Sequence, residues 1–224
     1  MKKKITSVIL ASSLLLPSSV IFAQDINSSS EIEQNEKIVS VEFINKFNEE
    51  NNLPKLSEQD IPTVKELKEA TKGLSATQEN PVVSKDLGNG FGVTLWVDNT
   101  QPSAQTKSQD NQTVALADQN TTAKGGIEYT YLGVSWWRLT ATANFNYNGQ
   151  KITKVNSFDV LASGAPGYSV EKDPPKLANL DPSAKDVIGN AKFEYAKFLA
   201  TAVAHLELRF TGTGNYYVHD SFFK

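Results

Sequence analysis

Few residues in this chain can do chemistry. Cysteine is absent and His205 and His219 are the only imidazoles. That excludes thiolate nucleophiles, disulfides, iron–sulfur ligation and thiolate zinc sites, and leaves little for an imidazole metal cluster. A serine or threonine nucleophile needs a base in hydrogen-bond reach, itself oriented by a third group. His205 is the candidate base, since Glu207 lies two residues on and so on the same strand face. Its run His205-Glu207-Arg209 also reads as a solvated sheet face, and no nucleophile elbow accompanies it. Glu194 and Glu207 would serve glycoside hydrolysis only if held ~5–9.5 Å apart. Asp173, Asp181 and Asp186 share one segment without a calcium-ligand spacing. The sequence therefore assigns no catalytic residue, no metal ligand and no cofactor.

Aromatic residues are more informative. Placing Trp137 on a core face sends Trp136 and Arg138 the other way, beside Tyr216 and Tyr217 from the last strand. An exposed aromatic next to a cation stacks on sugars or packs on a partner protein. Trp136, Arg138, Tyr216 and Tyr217 are thus the expected ligand-binding residues. The competing expectation buries Trp136 under the acidic half or under a second sheet.

These residues need elements to hold them. Met1-Lys2-Lys3-Lys4, the apolar run Ile5–Phe22 and the small-residue exit Ile21-Phe22-Ala23 have the layout of a secretory signal peptide over residues 1–24, cleaved after Ala23 or Gln24. Export to the extracellular space follows, with no transmembrane segment after signal removal. Losing three lysines takes the formal charge from −3 to −6. Residues 25–124 then carry −7 and residues 125–224 carry +1. Neither half has the basic face that nucleic acid or an anionic membrane requires.

Residues 25–80 read as an acidic segment, partly disordered, with two short helices. Val41, Ile44 and Phe47 mark the first, ended by Asn51-Asn52-Leu53-Pro54; Val64, Leu67, Ala70 and Leu74 mark the second, capped by Asp60 or Thr63 and stopped at Gly73. Residues 81–98 form a strand segment, in which Phe91, Val93, Leu95 and Val97 alternate with Gly92, Thr94 and Trp96. Residues 99–126 are polar and read as a linker.

Residues 127–224 read as a β-domain. Trp137, Leu139, Ala141, Ala143, Phe145 and Tyr147 keep a strict period of two, and Asn148-Gly149 predicts a two-residue type I′ turn. That turn sets Phe145 opposite Ile152 and requires a bulge near Thr153 or Lys154 to return Val155 to the core. Prolines keep Asp173–Asp186 out of the sheet, and Phe193, Tyr195 and Phe198 belong to the next strand. Ala204, Leu206, Leu208 and Phe210 alternate in another, before Tyr216-Tyr217-Val218. The expected fold is mainly β: an antiparallel sandwich or open barrel at the C-terminal side, preceded by a short, partly helical acidic segment.

The order Asp86-Leu87-Gly88-Asn89-Gly90, Leu132-Gly133-Val134-Ser135-Trp136-Trp137, Phe145-Asn146-Tyr147-Asn148-Gly149, Gly189-Asn190-Ala191 and Gly212-Thr213-Gly214-Asn215-Tyr216 resembles a group of small exported proteins of Gram-positive bacteria. The resemblance spans roughly residues 81–220. It implies secretion and a β-sandwich, and it carries no catalytic or binding residue across. The expected function is a non-enzymatic extracellular interaction module that binds cell-envelope glycan or a protein partner. The alternative is a secreted antibacterial protein freed from an acidic pro-segment by proteolysis. A hydrolase stands behind both.

Overall fold

The computed structural model describes residues 37–98, 118–195 and 200–223. The expected signal peptide with Ala23 and Gln24, residues 25–36 of the acidic segment, residues 99–117 of the expected linker, and Phe198 lie outside the described residues.

Helix α1 (Val41–Glu50) starts where the Ser40 hydroxyl accepts from the Phe43 N–H, and it buries Ile44 and Asn48. Helix α2 (Val64–Thr71) opens with a capping box: the Thr63 hydroxyl accepts from Glu66 N–H while the Glu66 carboxylate accepts from Thr63 N–H. Gly73, at φ +73°, ends it as expected. Neither helix is long enough to persist alone. Both are held by the sheets, and Ile44 and Leu67 are fully buried. No helix among the described residues is long and apolar enough to cross a membrane.

Among the described residues, eleven strands form two antiparallel sheets packed as a sandwich. They are β1 (Ala76–Thr77), β2 (Val82–Gly88), β3 (Phe91–Val97), β4 (Gln119–Tyr131), β5 (Val134–Tyr147), β6 (Ile152–Gly164), β7 (Tyr168–Lys172), β8 (Lys176–Asp181), β9 (Ala184–Tyr195), β10 (Ala200–Thr211) and β11 (Tyr216–Phe223). The first sheet runs β2-β3-β4-β5-β6 and the second β1-β11-β10-β9-β7, with β8 also paired to β9. Alternation works as read. Phe91, Val93, Leu95 and Val97 meet Leu139, Ala141, Ala143 and Phe145, and Leu206, Leu208 and Phe210, in one core.

Four expectations need correction. The linker ends early, because residues 119–126 belong to β4 and pair with β5 from Gln119↔Tyr147 onward. Its glycines are packing devices: a Cβ on Gly125 would come within 2.6 Å of Val218 and 2.8 Å of the Trp96 carbonyl, and one on Gly126 within 3.0 Å of the Trp96 indole. The sandwich also begins earlier than residue 127. β2 and β3 lie in the first sheet and β1 pairs with β11 in the second, so the front segment is woven into the fold.

The turn at Asn148-Gly149 is not the two-residue kind. Tyr147 pairs with Ile152 and Phe145 with Val155, because the Asn148 carboxamide oxygen accepts from the N–H groups of Gln150 and Lys151 and stabilises a longer loop. The bulge at Thr153 is present, and a second one falls at Asn156. Pairs of positive φ values, as type I′ demands, occur instead at Asn89-Gly90 (51° and 85°), between β2 and β3, and at Leu132-Gly133 (50° and 78°), between β4 and β5. Finally, the proline segment contains β8, which follows Pro174-Pro175 and pairs with β9.

Asn48 ties α1 to the sandwich. Its amide donates to the Pro54 carbonyl at 2.7 Å and its oxygen accepts from the Tyr131 hydroxyl at 2.9 Å, with the side chain fully buried. Asn48→Ala strands both partners, at an expected cost of about 2–4 kcal/mol. A thermal melt should show Tm lower by roughly 5–10 °C. An unchanged Tm would mean that α1 is not coupled to the sandwich.

Candidate functional site

The four residues expected to bind ligand do not converge. β4 and β5 pair Tyr129↔Trp137 and Thr130↔Ser135, which leaves Trp136 as the extra residue of a bulge. A bulge sets two residues opposite one, and here both indoles are buried, at 2% and 0% exposure. Trp136 sits under α1, with ring centroids 5.0 Å from Phe43 and 5.7 Å from Phe47. Tyr216 is buried too, its hydroxyl donating to the Asp98 carbonyl. The expectation of an exposed patch built on Trp136 and Tyr216 is therefore overturned. Arg138 remains on the surface, one guanidinium nitrogen at 2.8 and 2.9 Å from the two Glu128 oxygens. Tyr217 is half-buried on the opposite sheet, with the Arg209 guanidinium 5.9 Å from its ring centroid.

What the first sheet does present is its outer face, set out in rows by strand register. One row runs Val82, Trp96, Gly126, Thr140, Leu161 across all five strands. Val82 and Leu161 are 57% and 61% exposed. The half-buried Trp96 indole lies over Gly126, where no side chain competes for the space. Lys124 Nζ stands 5.9 Å from its ring centroid. Glu128 and Arg138 flank this apolar row on one side, Lys124 and Thr142 on the other.

Beyond them lies a carboxamide cluster. Asn120 donates to the side-chain oxygens of Asn144 and Asn146 at 3.1 and 2.8 Å, and Asn156 donates to the same two at 2.8 and 2.9 Å. Asn144 donates in turn to the Thr122 hydroxyl at 2.9 Å. The bulge at Asn156 brings that side chain onto this face. Such a surface offers fixed amide donors and acceptors beside an aromatic ring, which suits a polyhydroxylated ligand. Its members were legible as the outward positions Trp96, Thr140, Thr142, Asn144 and Asn146; Gly126, Asn120 and Asn156 were not.

The titratable groups gather on the far side, on the outer face of the second sheet. Arg209 clasps the 4%-exposed Asp186 carboxylate with Nε and Nη2, both at 2.8 Å. Burial pushes the Asp186 carboxyl up, but Arg209 and His219 more than offset this and hold it at about 2. Nearby, Asp186 raises the His219 imidazole above its ordinary pKa against the opposing effect of burial. His205 has both ring nitrogens engaged, Nδ1 with Asn190 at 2.8 Å and Nε2 with Glu207 at 3.1 Å. Neither is left to activate a hydroxyl.

Glu207 and Glu194 pair with Ile188 and Thr201 respectively. They sit six β9 positions apart, about 20 Å at strand rise, too far to share one glycosidic bond. Of Asp173, Asp181 and Asp186, only Asp186 enters a cluster. Asp186, Glu207 and His219 each bring one ligand-type atom within 4.8 Å of the others. No protein-family model, curated protein or solved structure matches the chain.

Proposed function

We propose that the chain is an exported, non-enzymatic binding module that holds cell-envelope glycan on the outer face of the β2–β6 sheet. Export rests on the signal-peptide layout of residues 1–24. The observation that carries the binding reading is the row Val82-Trp96-Gly126-Thr140-Leu161 beside the Asn120-Asn144-Asn146-Asn156 cluster. Sugars show a C–H face and an edge of hydroxyls; an indole meets the first and oriented carboxamides the second. The cluster is pre-organised by its own hydrogen bonds, so little side-chain entropy is lost on binding. The ligand-contacting aromatic is thus Trp96 in place of Trp136.

Co-sedimentation with purified cell-wall sacculi, with and without their attached polysaccharide, tests this. The intact chain should pellet with the glycan, and Asn144→Ala and Trp96→Ala should each weaken retention roughly tenfold, about 1.4 kcal/mol. Tyr217→Phe, on the opposite face, should bind as the parent does. Failure of the parent chain to bind would overturn the reading, as would retention unaffected by either substitution. Retention only by protein-bearing walls would transfer the face to a protein partner.

A further inference from the structure

We propose that Asp186, Glu207 and His219 form a site for one divalent transition-metal ion of the zinc class, on the face opposite the proposed glycan surface. The three come from adjacent strands β9, β10 and β11, with Glu207 paired to His219 and to Ile188. A sheet holds such positions more rigidly than loops do. His219 Nε2 lies 3.6 Å from Asp186 Oδ2 and 3.6 Å from Glu207 Oε2. Ligand atoms around a tetrahedral zinc with bonds of ~2.0–2.1 Å stand ~3.4 Å apart. The remaining pair, Asp186 and Glu207, lies within 4.8 Å, so the two carboxylates must draw together by up to ~1.4 Å to close the site.

The second observation is His219 Nε2 itself, which is shut off from solvent and has no hydrogen-bond partner. Nδ1 lies 3.1 Å from an Asp220 carboxylate oxygen, which leaves Nε2 facing two anionic oxygens at 3.6 Å. That is unfavourable unless a cation lies between them. A proton on Nε2 supplies the charge, but at 3.6 Å makes a hydrogen bond to neither carboxylate. A metal ion satisfies all three atoms at once.

The surrounding residues act as an outer shell of the usual kind for such sites. Asp220, set at φ +42° in the β11 bulge, orients the imidazole. His205 holds Glu207 by Oε1 and leaves Oε2 facing His219. Arg209 holds Asp186, whose Oδ2 keeps a further lone pair toward Nε2. An imidazole with two carboxylates suits zinc or copper better than calcium or magnesium.

The test is calorimetric titration of Zn²⁺ into the intact, chelator-stripped chain. One ion per chain should bind, with the imidazole Nε2 resonance of His219 displaced in ¹⁵N NMR spectra. Glu207→Gln and His219→Gln should each weaken binding at least a hundredfold, with circular dichroism confirming the parent fold. Arg138→Gln, on the other sheet, should leave it unchanged. Binding of less than about a tenth of an equivalent by the folded parent chain would overturn the site. Zn²⁺ affinity unchanged from the parent in both variants would also overturn it. If His219→Gln fails to fold, Glu207→Gln and the His219 resonance decide.

Discussion

Residues 125–224 expressed alone are expected to remain unfolded. The fragment lacks α1, α2 and β1 to β3, and it begins inside β4. In the intact chain β3 pairs with β4 along its whole length, from Phe91↔Tyr131 to Val97↔Gly125. Phe91 lies 4.6 Å from Tyr131 and 6.1 Å from Tyr129, ring centroid to centroid. Ile44, Leu67, Phe91, Val93, Leu95 and Val97 are all buried. At ~1.5–3 kcal/mol for each side chain, their loss matches the entire ~5–15 kcal/mol that keeps a domain folded. The cut also leaves β4 as a bare, partly apolar edge prone to association. Near-ultraviolet circular dichroism and a thermal melt should show no fixed aromatic packing and no cooperative transition. A sharp melt would contradict this and restore an acidic pro-segment as a removable part.

Trp136→Ala should act on stability before it acts on any ligand. The side chain is 2% exposed and meets Phe43, Phe47, Tyr131 and Tyr168 with ring centroids 5.0–6.5 Å apart. Removing an indole from such a site leaves a cavity under α1, at ~3–5 kcal/mol. Urea unfolding should move to lower midpoint by that amount, and α1 amides should lose hydrogen-exchange protection before the strands do. Arg138→Ala is the contrast, since an exposed pair with Glu128 is worth ~0–1 kcal/mol. A loss under 1 kcal/mol at Trp136 would show that α1 does not cover it.

Periodicity revealed most of the sandwich. The alternation over 137–147 and 91–97, both short helices and the stop at Gly73 all follow from one-dimensional rules, because each depends on neighbours within a few residues. Residues 119–126 escaped them. Their inward positions are Gln119, Thr121, Ala123 and Gly125, small or polar side chains that resemble a linker, and the sheet accepts them because Val218 and Trp96 fill the space above the glycines. Trp136 was legible only as one of two alternatives: its burial under the acidic half is what the structure has, and the one-residue bulge that turns it inward left no mark in the alternation. Asn148-Gly149 shows a side chain overriding a turn preference.

The two candidate surfaces were legible to different degrees. Trp96, Thr142, Asn144 and Asn146 were visible as outward positions of their own strands. The Asn120 and Asn156 contributions depend on strand pairing and on a bulge. Asp186, Glu207 and His219 are 21 and 12 residues apart in sequence and meet only because β9, β10 and β11 are neighbours. Turn signals fix which strands follow one another, not which lie side by side, so that cluster had no sequence signature.

The proposed glycan surface is tested most directly by recording side-chain N–H resonances while solubilised wall glycan is added. The Trp96 indole and the Asn120, Asn144, Asn146 and Asn156 carboxamides should shift together along one saturable curve, while His205, Arg209 and His219 stay in place. Shifts confined to the β9–β10–β11 face, or none at saturating glycan, would contradict a glycan site on the first sheet.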